Sequence, residues 1–332
     1  MNTFRTVVEI SPWENKIGYD DPSVWMGSCF TENIGNKMKR LKFPVQVNPF
    51  GVIYNPVSVK NSLEVLIERK FLGYDDLKWH NNMWHSFYHH SSFSHPEKDE
   101  CLDMINSSIK EASSLLREAR FLFITFGTAR VYEYIETGRI VSNCHKIPAA
   151  NFRHYLLEVD YIVEVFKEVL NKLSYLNPAV NVVFTISPVR HWKDGPVGNQ
   201  LSKSSLIVAV QRLVELFSFA YYFPAYEIVM DDLRDYRFYE KDMLHVGSQA
   251  VDYIWEKFSG AFISHNSALI MREVEKICQA LSHKPFNPAS PQHRSFLQKV
   301  KLQIGELEKK YPFLNFREEL NMIEDRLKKA DG

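Results

Sequence analysis

A serine that follows a glycine where an apolar run gives way to a helical pattern can serve as a nucleophile. Gly27-Ser28-Cys29-Phe30, directly after Val24-Trp25-Met26, offers such a serine. A strand that ends in Gly-Ser and turns at once into a helix puts the hydroxyl at the lip of a sheet. The unpaired N–H groups of the helix then lie beside it and favour negative charge. Far along the chain, Asp242-Met243-Leu244-His245 sets a carboxylate and an imidazole three residues apart, which is the spacing an orienting hydrogen bond requires. Together the pieces describe acyl transfer, with Ser28 attacking, His245 taking its proton and Asp242 holding the other ring nitrogen. Each piece also has a plain structural reading: Ser28 as a helix-capping hydroxyl, and Asp242 with His245 as a local pair on one turn. Cys29 is the rival nucleophile, but a cysteine beside Phe30 at a sharp turn reads better as a small buried hydrophobe.

The elements that would position these groups emerge from the hydrophobic pattern. Strand-like runs recur at Val24–Met26, Phe43–Val47, Phe121–Phe126, Val182–Ile186 and Glu227–Met230. Helical periodicity marks Glu32–Arg40, Val57–Glu68, Asp103–Glu118, Val159–Leu173, Lys203–Phe219 and Ser248–Phe258, with Ser202 or Lys203 opening the fifth of these. The alternation predicts an α/β fold with a mostly parallel sheet. In such sheets ligands bind outside the carboxyl ends of the strands. The five strand-like runs are succeeded in turn by Gly27-Ser28, Asn48-Pro49-Phe50-Gly51, Gly127-Thr128, Ser187-Pro188-Val189-Arg190-His191 and the segment reaching Asp242 and His245. Every group with chemical potential therefore falls on one rim.

Between Asp75 and Lys98 the pattern is interrupted by Trp79, Trp84, Phe87, Tyr88 and Phe93 interleaved with five histidines, which reads as an inserted lid or wall. His85, His89 and His90 lack the carboxylate or cysteine partners of a known ligand spacing, so no metal is expected. After about Gly260 the chain becomes charged and helical. Pro285, Pro288 and Pro291 mark a linker before Phe296–Tyr311 and Phe316–Lys329. The expected division is therefore a catalytic domain over residues 1–260, with an insertion over about 64–120, and a helical C-terminal appendage over 261–332 that packs on the body or on a partner.

Composition sets the ligand class. In 332 residues, 45% hydrophobic and 14% aromatic content supports a large core. Forty basic against forty acidic residues give zero formal charge, so neither nucleic acid nor an anionic membrane is expected as a partner. Cys29, Cys101, Cys144 and Cys278 are scattered without a Cys-x-x-Cys pair and read as reduced thiols. The opening Met1-Asn2-Thr3-Phe4-Arg5 has no charged start leading into an apolar stretch, and no apolar run approaches the ~20 residues a bilayer requires. A cytoplasmic protein is expected.

Several longer motifs stand in order along the same region. They are Gly27-Ser28-Cys29-Phe30, Asn48 to Pro56, Asn143-Cys144-His145-Lys146, Ser187 to His191, and Asp232 to Tyr239 with Asp242 and His245. From about Val24 to Phe258 the chain resembles the GSCFA family, which in turn resembles the SGNH (GDSL-type) hydrolases. That resemblance implies a flavodoxin-like three-layer α/β/α sandwich around a short parallel sheet, with no cofactor. It implies Ser28 as nucleophile with its own N–H in the oxyanion hole, Gly51 as a second N–H donor, and Asp242 with His245 as the remaining triad. The superfamily's third donor is an asparagine in a Gly-x-Asn-Asp motif, whereas this chain reads Gly127-Thr128-Ala129-Arg130. Thr128 is the expected replacement, with Asn143 the alternative, and Asn143, His145, Arg190 and His191 are candidate substrate-binding residues. The implied activity is a serine esterase removing a short acyl group from a carbohydrate or similar alcohol. An O-acyltransferase using the same triad and a non-catalytic glycan- or partner-binding module are the alternatives.

Overall fold

The computed structural model describes residues 6–331, with side chains to 328. Strand β1 (Ser23–Gly27) leads into α1 (Cys29–Arg40), then β2 (Val45–Val47) and α2 (Pro56–Glu68). A hairpin of β3 (Lys78–His80) and β4 (Met83–His85) precedes α3 (Lys98–Glu118) and β5 (Phe121–Phe126). Next come β6 (Arg130–Tyr134), β7 (Arg139–Val141) and β8 (Phe152–Leu156), which form a separate antiparallel sheet in the order β7-β6-β8. The chain continues through α4 (Val159–Leu176), β9 (Asn181–Ile186), α5 (Gly195–Leu216), β10 (Ala220–Tyr222), the short α6 (Ala225–Glu227) and α7 (Ser248–Phe262). It ends in three helices, α8 (His265–Ser282), α9 (Pro291–Lys310) and α10 (Arg317–Asp331).

The central sheet is parallel throughout, in the order β10-β9-β5-β1-β2, and carries helices on both faces. Alternation along β5 shows why. Leu122, Ile124 and Phe126 enter one core with residues of α2 to α5, while Phe121 and Phe123 enter the other with residues of α1 and α7 to α10. A strand covered on both faces has no solvent side, so Phe-Leu-Phe-Ile-Thr-Phe is apolar at nearly every position. The second core also contains Ile277, Leu297, Ile304, Phe316 and Ile323, so the C-terminal helices share one continuous interior with Trp25, Ile34 and Phe258. Lys42 reinforces the seam by pairing with Glu319 at 2.6 Å. Among the described residues no helix is long and apolar enough to cross a membrane.

Two elements differ from the sequence expectation. Glu227–Met230 is not a strand: Pro224 starts a helical turn, and Ile228–Asp232 continues as a wide π-type turn. The fifth strand is instead Ala220–Tyr222, paired with Val182–Phe184. Short apolar runs carry no period that separates a strand from a buried helical turn. The helix expected from Ser202 or Lys203 begins at Gly195, with Pro196 in its first turn, where the missing N–H and the fixed φ are tolerated. Its first residues, Val197 among them, show no apolar stripe, which hides the start.

The segment between β3 and α3 is a fixed wall. His90 N–H donates to the Phe50 carbonyl at 2.8 Å, and the Trp84 and His95 backbones bridge at 2.8 and 3.1 Å. His89 is fully buried, its ring stacked 4.7 Å from Phe50, and neither ring nitrogen has a partner among the described residues. Burial pushes its imidazole down to about 3, with His145 nearby adding to the effect. The unfolded chain takes up a proton below about pH 6.5 and the folded chain does not, so stability present above that value drains away as the pH falls. His89→Phe keeps the stacked ring and removes the titration. Its stability relative to wild type, measured by urea unfolding, should rise by about 2 kcal/mol between pH 7 and pH 5.

Candidate active site

β1 ends at Gly27, whose φ is +137° and where a Cβ would lie 2.1 Å from the Thr125 carbonyl oxygen. Only glycine adopts this backbone so close to a neighbouring strand. Gly27 N–H donates to Asn48 Oδ1 at 2.9 Å, and the Gly27 carbonyl accepts Ile53 N–H at 3.0 Å. The loop after β2 therefore clasps the end of β1. Ser28 comes next as the N-cap of α1, with Oγ accepting Phe30 N–H at 3.4 Å. The residue is 1% exposed. The strand-to-helix turn that the sequence pattern predicts is present, and so is the capping role.

Asp242 and His245 meet as their spacing suggests. His245 Nδ1 lies 2.5 Å from Asp242 Oδ2, while Asp242 Oδ1 accepts the N–H groups of Leu244 and His245 at 2.9 Å each. The His245 backbone and side-chain bonds, then the Leu244 bond, hold the Asp242 carboxyl down at about 2. With Nδ1 engaged, Nε2 is the nitrogen left for proton transfer. In this resting arrangement no hydrogen bond joins His245 to Ser28 among the described residues. Ser28 follows β1 at the carboxyl rim, and His191, which follows β9, is close enough to His245 to sense its charge.

The expected oxyanion donors are occupied. Ser28 N–H donates to the Thr125 carbonyl at 3.1 Å and Gly51 N–H to the Asn48 carbonyl at 2.7 Å, the latter closing a tight turn at φ +72°. Thr128 Oγ1 bonds Ser202 Oγ at 2.9 Å and accepts Arg130 N–H at 3.0 Å. Asn143 Oδ1 accepts His145 N–H at 2.8 Å, which holds the loop after β7 in place. Asn48 is different. Its Oδ1 is fixed to Gly27, it is buried, and its Nδ2 has no partner among the described residues.

The remaining candidates divide among three surroundings. His191 and Asn143 line a cavity of about 460 Å³ together with Thr128 and Tyr54. Arg190, one residue before His191, lines a different cavity of about 620 Å³ with Tyr239 and Asp242. His145 is part of the wall, stacked 4.1 Å from His85 with Nε2 3.0 Å from the Ser86 carbonyl oxygen. Burial pushes its imidazole down to about 4, with His85 adding to the effect. Cys29 is half-buried, and burial followed by the Glu32 charge raises its thiol pKa despite Phe30 N–H and Lys203, so the thiol is protonated at neutral pH.

Lys203 escaped the sequence reading. It is fully buried in the middle of α5 and donates to the Gly127 carbonyl at 2.6 Å and the Ser187 carbonyl at 2.5 Å, tying the carboxyl ends of β5 and β9 together beneath the rim. No carboxylate answers its charge among the described residues. Burial pushes its pKa down to about 7, Arg190 pushing the same way and Cys29 opposing. His191 in turn is driven down to about 4 by burial, then by the Lys203 charge, with Asp194 opposing and His245 adding, so its ring is neutral at pH 7. Ser202-Lys203-Ser204-Ser205 reads as a solvated helix start, and only the earlier opening at Gly195 places Lys203 inside.

The chain belongs to the GSCFA family. The sequence model of that family matches residues 22–258, and the model of the GSCFA domain protein C-terminal domain matches residues 274–329. No curated protein matches the chain.

The buried ammonium makes a measurable demand on stability. Unfolded Lys203 keeps its proton to about pH 10.4 while the folded residue gives it up from about pH 7, so wild-type stability climbs with pH across that window. Lys203→Met lacks the climb. In urea melts, wild type should gain about 2 kcal/mol on this variant between pH 7 and pH 9.

Proposed function

We propose that this GSCFA-family chain is a serine esterase of the SGNH type, built on a flavodoxin-like variant of the three-layer fold and working through an acyl-enzyme. The observation that carries the reading is the Asp242–His245 pair. It is closed at 2.5 Å, and His191, which follows β9 in the same parallel sheet as β1, lies close enough to sense the His245 charge. Ser28 Oγ attacks the ester carbonyl and forms the new C–O bond while its proton passes to His245 Nε2. The tetrahedral intermediate then breaks its bond to the alcohol, which leaves with that proton. Water repeats the sequence in the second half, giving its proton to His245 and releasing the acid and free Ser28. Asp242 keeps the imidazole in the tautomer that both steps require.

Ser28 must first leave its bond to Phe30 N–H, which at 3.4 Å is long and costs little to break. Negative charge on the intermediate is met by the Asn48 amide, the N-terminus of the 12-residue α1 and, while it keeps its proton, the Lys203 ammonium beneath. Ser28 N–H and Gly51 N–H stay engaged with the Thr125 and Asn48 carbonyls, so the donors this arrangement offers are the Asn48 amide and the helix terminus. A short acyl group suits a nucleophile that is 1% exposed. That same burial favours the second reading, acyl transfer to an alcohol with water excluded. The four free cysteines suit a reducing, cytoplasmic setting.

Kinetics on a small aryl acetate test the assignment. Ser28→Ala should abolish turnover, and Asp242→Asn should lower kcat on the order of 10⁴-fold by freeing the wrong tautomer. Asn48→Asp keeps the acceptor for Gly27 N–H but replaces the donor, and should cost about 10²–10³-fold in kcat. Turnover in wild type that survives in Ser28→Ala would sink the assignment. No turnover in either protein would favour the glycan- or partner-binding alternative.

A further inference from the structure

The cavity of about 460 Å³ beside His191 has a charge pattern that the proposed ester chemistry alone does not require. Arg130, Lys146 and Lys193 line it against a single carboxylate, Asp194. That carboxylate is already shared between Arg130 Nε at 3.7 Å and His154 Nε2 at 3.6 Å. Arg130 Nε is buried and makes no hydrogen bond among the described residues. Lys193 donates to Tyr132 Oη at 2.8 Å and stands 5.1 Å from the centre of that ring, so aromatic surface and cation occupy one wall. Tyr54 supplies a second aromatic face, edge-on to His191 at 5.3 Å. The remaining polar lining includes Asn55, Asn143 and Thr128. Cations gathered around one open cavity attract an oxyanion, while aromatic faces take a ring.

We infer that this cavity holds the alcohol part of the substrate, and that this alcohol is a sugar-like ring bearing an oxyanion, a carboxylate or a phosphate. The inference rests on the serine-ester reading for the word alcohol, since His191 and Thr128 bring the cavity to the rim where Ser28 lies. It does not rest on that reading for the binding itself. Lys146 closes the Asn143-Cys144-His145-Lys146 motif, whose middle is occupied with the wall, so the motif's exposed end is left to meet a ligand.

The test uses the full chain carrying Ser28→Ala, so that nothing is turned over. Calorimetry compares glucuronic acid, glucose 6-phosphate, glucose and inorganic phosphate at low ionic strength. One of the two anionic sugars should bind at least tenfold more tightly than both glucose and inorganic phosphate, and which one it is separates carboxylate from phosphate. Lys193→Met and Lys146→Gln, both at exposed positions, should each weaken that binding by roughly 5–10-fold and leave the unfolding temperature unchanged. Glucose binding as well as its anionic forms would overturn the inference. So would inorganic phosphate binding as well as the better of the two anionic sugars, or affinity indifferent to both lysine substitutions. Anionic-sugar binding in a protein whose wild type cleaves no ester would leave the cavity assigned and remove only the esterase. Cleavage by wild type of acetylated glucose and of the acetylated form of whichever anionic sugar binds, with equal kcat/KM, would remove only the cavity.

Discussion

Gly27 ends the central strand at φ +137° with the Thr125 carbonyl oxygen 2.1 Å from where a side chain would begin, and the rim is arranged around that backbone. Its N–H is held by Asn48 Oδ1 and its carbonyl by Ile53 N–H, so the end of β1 and the loop after β2 form one unit. Because β1 lies between β5 and β2, the chain cannot relax there without disturbing the register of the sheet. Ser28 is thus delivered to the start of α1 by steric exclusion, and Asn48 is brought to the same turn by the hydrogen bond that secures it.

Beneath that turn the electrostatics run from the interior outward. Lys203 holds the ends of β5 and β9 with an ammonium that no carboxylate neutralises among the described residues. Above it His191 is kept neutral, and beyond His191 the Asp242–His245 pair faces solvent with its carboxylate ionised. A positive potential under the nucleophile favours charge developing on an ester oxygen, while the exposed pair remains free to exchange protons with water. The cost is a buried ammonium, offset by its two carbonyl partners at the ends of β5 and β9.

Much of this was legible in the sequence. Gly-Ser at the end of an apolar run and Asp-x-x-His on one turn are local patterns, and local patterns survive folding. The strands Val24–Met26, Phe121–Phe126 and Val182–Ile186 were legible because burial on both faces makes them apolar without interruption. What escaped depends on tertiary placement. Lys203 is buried only because α5 starts at Gly195. Asn48 sits in a loop that looks like any Asn-Pro turn until its amide is found without a partner. Ala220–Tyr222 is three residues long and carries no alternation. The antiparallel sheet over Arg130–Leu156 alternates weakly, and the cationic cavity emerges only when Arg130 of β6 meets Lys146 from the loop before β8 and Lys193 from the turn after β9.

Whether Ser28 is a nucleophile in the folded protein decides the rest, and covalent labelling asks that directly. Wild type treated with a serine-directed fluorophosphonate should gain one adduct by intact mass, and peptide mapping should place it on Ser28. His245→Gln should slow the labelling at least 100-fold, since the attacking hydroxyl then has no base. A folded wild type that takes up no label, or takes it up at a residue other than Ser28, would contradict the account.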